Sequence, residues 1–265
     1  MEDWCDKLMT DLIQRFYSLQ TLDFRVSYHG YSARFSEFKN FRKTLKTGVS
    51  SNLRVLKIGY LYISCNEILR YMCFPNIDTL VVTYTKHRWY DLKERLALDG
   101  RKSLLKVFDI ELDSSRIIGL LDMLSCCWAL EHFTCRLFED RHVGDGYIAE
   151  EDEHTDGEDE QREDEDEPVP LEAPAMIPRV LKNCQQTLVS LNLQWDQYSE
   201  DTRPGPSALN LESFTNLKTL RISAYLILSD KERWHIPARN AFCQRLPPSL
   251  ESLAVQFFLP PQRHF

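Results

Sequence analysis

Two pairs of side chains in this sequence have the types that nucleophilic catalysis uses. His29 lies three residues before Ser32, and Cys127 lies five residues before His132, so each pair offers a nucleophile and a base. Such catalysis also needs a third group that orients the base, and the sequence brings none to either pair. The chain further lacks a glycine-rich phosphate loop, an H-E-x-x-H motif and a G-x-S-x-G motif. We therefore expect no catalytic residue, and we expect that the chain is not an enzyme.

One stretch follows the spacing of a calcium-binding loop only in part. Asp152, Asp156, Gly157 and Glu163 occupy positions 1, 5, 6 and 12 of an EF-hand loop, but His154 stands at position 3, where an oxygen ligand is required. A run so rich in acidic residues matches this pattern by chance. The eight cysteines are scattered without a C-x-x-C pair, which predicts reduced side chains packed as small apolar residues rather than a zinc site. We expect no metal and no cofactor.

Most of the negative charge lies in one segment. Residues 150–167, called the acidic segment below, contain thirteen Asp and Glu and one Arg, whereas the rest of the chain contains 27 acidic and 31 basic residues. The acidic segment has no apolar periodicity and cannot bury a core, so we predict a disordered insertion over residues 139–175. Its role is either to keep the chain soluble or to contact a basic partner. The remaining net charge of +4 is not clustered, which argues against nucleic acid as a partner.

No part of the sequence predicts a membrane span or a secretory signal. A span needs about 18 or more uncharged apolar residues, and the longest apolar block, Ile117 to Leu130, is interrupted by Asp122. Residues 1–13 carry four acidic side chains, whereas a secretory signal begins with basic ones. We expect a cytoplasmic or nuclear location and no membrane partner.

The strongest pattern is a window of six residues with apolar side chains at its first, fourth and sixth positions. Eight windows occur, and their central residues are separated by 34, 24, 28, 25, 58, 29 and 33 positions. Most of these steps lie near the period of about 20–29 residues that leucine-rich repeats show, and the longest contains the acidic segment. A strand with this pattern presents apolar side chains that only a stacked neighbour can cover. The windows begin at Leu19, Leu53, Ile77, Leu105, Leu130, Leu188, Leu217 and Leu250.

Between the windows, apolar residues recur at spacings of three and four, which predicts helices with one apolar stripe. The predicted helices are Ser36–Leu45, Asn66–Met72, Ser115–Leu124 and Met176–Cys184, and residues 1–20 predict one more. Because strands and helices alternate, each unit returns the chain to the same edge, so the strands should be parallel neighbours. The fold class is therefore α/β, a curved solenoid of about seven or eight irregular repeats with strands on one side, helices on the other and the usual right-handed crossovers.

The windows resemble leucine-rich repeats, and residues 246–253, LPPSLESL, resemble the irregular repeats of fungal F-box/leucine-rich-repeat proteins. The resemblance spans Leu19 to Leu259. It implies a solenoid that binds a protein and, in that family, selects substrates for a ubiquitin ligase through a Skp-type adaptor. The sequence departs from the family in two ways: no F-box-like segment precedes the windows, and the Asn or Cys that usually follows the last apolar position is mostly absent. A Skp-type adaptor is thus expected only if an F-box lies upstream.

We predict one solenoid, with residues 1–138 and 176–265 as its two parts around the insertion at residues 139–175. Its function is expected to be recognition of a protein partner on the strand side. The alternatives are the substrate receptor of an SCF-type ubiquitin ligase and a structural or decayed repeat protein. Candidate contacts are residues between the apolar positions of the strands, and two tryptophans in aromatic clusters that follow strands. They are Lys57, Val81, Asp109, Thr134, Asn192, Arg221, Trp89 and Trp234.

Overall fold

The computed structural model contains one sheet of eight parallel strands whose spatial order is the order of the sequence. It describes residues 2–16, 18–25, 39–46, 52–59, 63, 65–85, 102–113, 117–138, 173–196, 209–227 and 243–257. The sheet is open, with β1 and β8 at its two edges. The predicted α/β class and the parallel, neighbouring strands are therefore confirmed. The strands are β1 (Thr21–Arg25), β2 (Val55–Gly59), β3 (Thr79–Thr85), β4 (Val107–Asp113), β5 (His132–Phe138), β6 (Ser190–Asp196), β7 (Thr219–Ser223) and β8 (Ser252–Gln256).

Every strand begins at the third position of one of the eight windows, so the first apolar residue of each window precedes the strand. The fourth residue of each window faces the fourth residue of the next, as Leu56 faces Leu80 and Phe133 faces Leu191. The register holds because a shift by one residue would turn each apolar set to the other side of the sheet. The full register row is Leu22, Leu56, Leu80, Phe108, Phe133, Leu191, Leu220 and Leu253.

Helices occupy several of the intervals between strands, close to the predicted bounds. Pro178 interrupts the hydrogen bonding of α5, since it has no N–H, and a 3₁₀ turn at Leu181–Cys184 completes the segment that we predicted as one continuous helix. Because α5 begins at Ala173, it overlaps the end of the predicted insertion. The helices are α1 (Glu2–Arg15), α2 (Lys39–Lys46), α3 (Cys65–Met72), α4 (Ile117–Ser125), α5 (Ala173–Val180) and α6 (Ala224–Ile227).

The core lies between the helices and one side of the sheet. The predicted helix stripes are buried: Ile68 in α3 is 2% exposed, Leu120 in α4 is 0% and Ile177 in α5 is 0%. On the sheet, Phe108 and Phe133 stack with ring centroids 5.8 Å apart. Each such side chain contributes about 1.5–3 kcal/mol by leaving water. One side of every central strand is thus committed to the core.

The first two helices pack together at the β1 end of the core. The carboxylate of Asp6 in α1 is 3% exposed and accepts hydrogen bonds from the backbone N–H groups of Asn40 and Phe41, at 2.9 and 2.8 Å. It thereby caps the first turn of α2, where unpaired N–H groups attract a negative charge. Phe41 then packs on Phe24 of β1, with ring centroids 5.0 Å apart. The apolar stripe predicted for α1 is partly wrong, because Leu8 is 40% exposed.

Within the residues that the structure describes, no helix is long and apolar enough to cross a membrane.

Candidate functional site

The side of the sheet that faces away from the core carries the predicted contact residues. Six of them occupy one register row, called the central row below. On every strand it comes one position after the row of Leu and Phe residues that runs from Leu22 to Leu253. Because side chains of a strand alternate, the central row points away from the core. With the residues two positions before and after it on each strand, it forms the outward face. The central row is Asp23, Lys57, Val81, Asp109, Thr134, Asn192, Arg221 and Ala254.

The outward face is partly accessible to solvent. Lys57 and Thr134 are half-buried, and Arg221 is exposed, whereas Leu56 and Leu191 on the core side are at 0% exposure. Parallel sheets in α/β proteins are usually covered on both faces. Among the described residues, the helices with buried apolar stripes pack on the core side, so the outward face is a surface on which another molecule can lie.

A cluster of three charges lies at the centre of the outward face. The guanidinium of Arg136 lies 3.3 Å from the carboxylate of Asp109 and 4.0 Å from that of Glu111. Burial raises the pKa of Asp109, and the positive charge of Arg136 partly opposes that rise. The carboxylate of Asp109 can accept further hydrogen bonds from a basic or amide group of a ligand.

Unpaired positive charges flank this cluster. Among the described residues, neither Lys57 nor Arg221 has a carboxylate within salt-bridge distance. Asp23, which neighbours Lys57 in the central row, is instead held by Arg25 through two hydrogen bonds of 2.8 and 3.0 Å. The ammonium and the guanidinium therefore remain available to carboxylates of a ligand.

Gly59 leaves room on the outward face for its neighbours. A Cβ at this position would lie 2.7 Å from Oγ1 of Thr83 and 3.1 Å from Cγ of Arg25. The absence of a side chain lets the stem of Arg25 lie against β2, where it directs the guanidinium to Asp23. The glycine thus supports the pairing that leaves Lys57 without a partner.

Asn192 contributes an unsatisfied polar atom to the central row. Its side-chain oxygen is buried and has no hydrogen-bond partner within the described part of the chain. An unpaired buried acceptor costs about 1–3 kcal/mol. A ligand or a local rearrangement that brings an N–H group to Asn192 would recover this energy.

A second set of charges was missed by the sequence analysis. The residue just before most strands is charged, and its sign alternates from strand to strand. Among the described pairs, Lys106 lies 3.0 Å from Glu131, and Lys218 lies 3.0 Å from Glu251. Arg54 pairs with Asp78 at 3.8 Å. All of these side chains are largely exposed, so each pair contributes at most about 1 kcal/mol. The second position of each window could have revealed them, once the windows were aligned.

The pairs considered for catalysis are not assembled among the described residues. Cys127 is 0% exposed and belongs to the core, whereas His132 is exposed on the outward face. His29 and Ser32 lie outside the described residues. So do Trp89, Trp234, the EF-hand-like residues and the rest of the acidic segment, so the structure does not place these candidates.

The seven cysteines whose side chains the structure describes are free thiols, and most of them are buried. Hydrogen bonding with Cys127 is the largest of several causes that raise the pKa of Cys126 to about 12. Burial is the main cause of the raised pKa of Cys135. Cys243 differs from the prediction of a packed side chain, because it is exposed. Within the described residues, no group of three or more His, Cys, Asp or Glu side chains is arranged to hold a metal ion.

Comparisons with protein-family models, with curated proteins and with solved structures find no match for this chain.

Proposed function

We propose that this chain is a leucine-rich-repeat-like curved solenoid that recognises a protein partner on its outward face. The observation that carries the proposal is the continuous face of eight parallel strands in sequence order, whose central row is partly or fully exposed. Stacked strands of this kind form the extended binding surfaces of solenoid proteins. The recurring windows support the solenoid, because their central residues lie in one register row from β1 to β8.

The charge of the outward face favours a protein over a nucleic acid. Basic side chains at Lys57, Arg136 and Arg221 alternate with acidic side chains at Asp109 and Glu111. A phosphate backbone requires a basic stripe, and each carboxylate on such a stripe would repel it. A protein surface can offer both signs at matched positions.

The dimensions of the face define the element that would lie on it. Lys57 on β2 and Arg221 on β7 are five strands apart, which corresponds to about 24 Å at about 4.8 Å per strand. A helix of about 16 residues has this length. We propose that the partner places a carboxylate near each of these two residues, and a basic or amide donor near Asp109 between them.

The experiment is a double charge reversal in the central row. The tagged chain is first used to purify partners from lysate of its own organism, and the binding of each partner is then measured with purified proteins. The variant Lys57→Glu/Arg221→Glu should weaken binding at least about tenfold, since two attractive contacts become repulsive. The matched control is Lys7→Glu/Lys182→Glu, which makes the same change in net charge at exposed positions away from the outward face.

Each outcome decides a separate point. Equal affinity of the double variant and the wild-type chain, with circular dichroism showing both folded, would rule out the outward face as the binding surface. If the control variant also bound the partner more weakly, the effect would come from the net charge of the chain and not from the outward face. Recovery of a Skp-type adaptor with a cullin would favour the substrate-receptor hypothesis. Loss of a partner on deletion of residues 149–167 would assign that contact to the acidic segment and its border.

A further inference from the structure

The second edge of the sheet, at β8, differs from the first. The core side of β1 is covered, because Phe41 of α2 packs on Phe24, whereas the leucine of β8 on this side is exposed. Among the described residues, β8 pairs only with β7. An open edge strand offers unpaired backbone groups, and proteins usually protect it with Lys, Pro or a bulge. The five residues of β8, SLAVQ, contain neither a charge nor a proline.

The open backbone groups of β8 can be assigned from its pairing. The N–H of Ser252 donates to the carbonyl of Lys218 at 2.9 Å, so Ser252 directs its hydrogen-bonding groups towards β7. In a parallel pair, alternate residues bond to the same neighbour. Ala254 therefore also faces β7, and Leu253 and Val255 direct their N–H and C=O groups to the open side.

Apolar side chains accompany these open groups. Leu253 is 42% exposed, although Leu191 and Leu220 in the same register row are 0% exposed. Phe257, directly after β8, is 65% exposed. The edge thus combines unpaired backbone groups with apolar side chains, which is the chemistry of a site for an added β-strand.

We propose that β8 of a second copy of this chain pairs antiparallel with β8 on a two-fold axis that passes beside Ala254. In this register Leu253 of each copy faces Val255 of the other, and the two residues that carry the open groups exchange backbone hydrogen bonds. Ser252 faces Gln256, and Ala254 faces itself at the close approach of a non-hydrogen-bonded pair. The result is one continuous sheet of both copies.

The composition of β8 fits a self-pairing strand. An axis through the central row brings one residue against its own copy, so a charged residue there would repel itself. Ala254 is small and uncharged, whereas the other edge has Asp23 at this row. A two-fold pair of β8 strands is a closed dimer, whereas head-to-tail addition of β1 to β8 would continue without closing.

The proposal does not depend on the proposed function, because pairing at β8 leaves Lys57 and Asp109 accessible in both copies. A strand pair with Leu253 and Phe257 is a small interface, so we expect a weak dimer with a Kd on the order of micromolar. Charge reversal at Lys57, which lies on β2 at the other end of the sheet, should leave the dimer unchanged.

The test is sedimentation velocity of the full chain over a hundredfold range of concentration. The wild-type chain should pass from monomer to dimer. Ala254→Glu and Ala254→Lys, each made together with Arg221→Gln because Arg221 lies beside Ala254, should raise the dimer Kd at least about tenfold through like-charge repulsion. An equimolar mixture of these two variants should form the dimer again, because opposite charges then meet at the axis. The control is Thr21→Glu, an exposed charge on the opposite edge, which should have no effect.

Four results would overturn the proposal. They are a wild-type chain that stays monomeric, a dimer that tolerates both substitutions of Ala254, a mixture that does not re-associate, and assemblies larger than a dimer that Thr21→Glu disrupts. The last of these would indicate head-to-tail addition of β1 to β8.

Discussion

Two leucines in the same register row should respond very differently to truncation. Leu191 in β6 is 0% exposed and lies between Phe133 and Leu220, whereas Leu253 in β8 has the same row position and is 42% exposed. The comparison holds residue type, strand position and row constant. What differs is whether a further strand and the side chains behind it complete the core around the leucine.

The magnitudes follow from burial. Leu191→Ala removes a fully buried side chain and leaves a cavity among packed neighbours, which costs about 2–5 kcal/mol of the free energy of unfolding. Leu253→Ala removes a side chain that keeps only part of its apolar surface out of water and can leave no enclosed cavity. The partly buried side chain contributes about half of the 1.5–3 kcal/mol that complete burial gives, so we expect a loss of about 1 kcal/mol.

Urea unfolding followed by circular dichroism measures both values. The chain is held below the concentration at which it dimerises, and the slope m is compared between variants to confirm that the same surface unfolds. If both variants lost the same free energy of unfolding, the reasoning would be refuted. The stability that a leucine contributes would then not depend on how far neighbouring strands bury it. A loss well below about 2 kcal/mol for Leu191→Ala would refute it too.

Two further predictions concern titratable groups. Burial raises the pKa of Asp109 in the folded chain, so ionisation of this carboxylate destabilises the fold at neutral pH, and the loss is recovered as pH falls through the folded pKa. Asp109→Asn should therefore raise the free energy of unfolding at pH 7 and flatten its dependence on pH; a lower value would mean that the ion pair with Arg136 outweighs burial. The second prediction is that iodoacetamide labels exposed Cys243 in the native chain well before Cys126, whose pKa is raised to about 12. Peptide mass spectrometry checks the order, and comparable labelling of Cys126 before unfolding would contradict it.

The strand positions were predictable because the apolar pattern is local. Leu56 and Ile58 stand two residues apart, and only one strand register turns such a pair towards a core. Leu53, three residues before Leu56, is also buried but lies before β2 begins. The same spacing in every window therefore predicted both the strands and their order. It also placed Lys57 and Arg221 on the opposite side, because side chains alternate along a strand.

The helix bounds were less predictable. The pattern of Met176–Cys184 indicates one apolar stripe, but Pro178 limits the α-helix and a 3₁₀ turn follows. The stripe survives because both kinds of helix bring residues three or four apart to the same side. Sequence spacing thus predicts which side chains are buried better than it predicts where a helix ends.

Only the tertiary structure decided which residues of a register row are buried and which of its charges are paired. The sequence pattern treats Leu191 and Leu253 alike, yet one is buried and the other is exposed at the last strand. Nor does the spacing reveal that Arg136 pairs with Asp109 across neighbouring strands, or that Arg25 pairs with Asp23, the register neighbour of Lys57. The physical reason is that periodicity is a property of one segment, whereas burial and charge pairing depend on which strand lies beside it and on whether another strand follows.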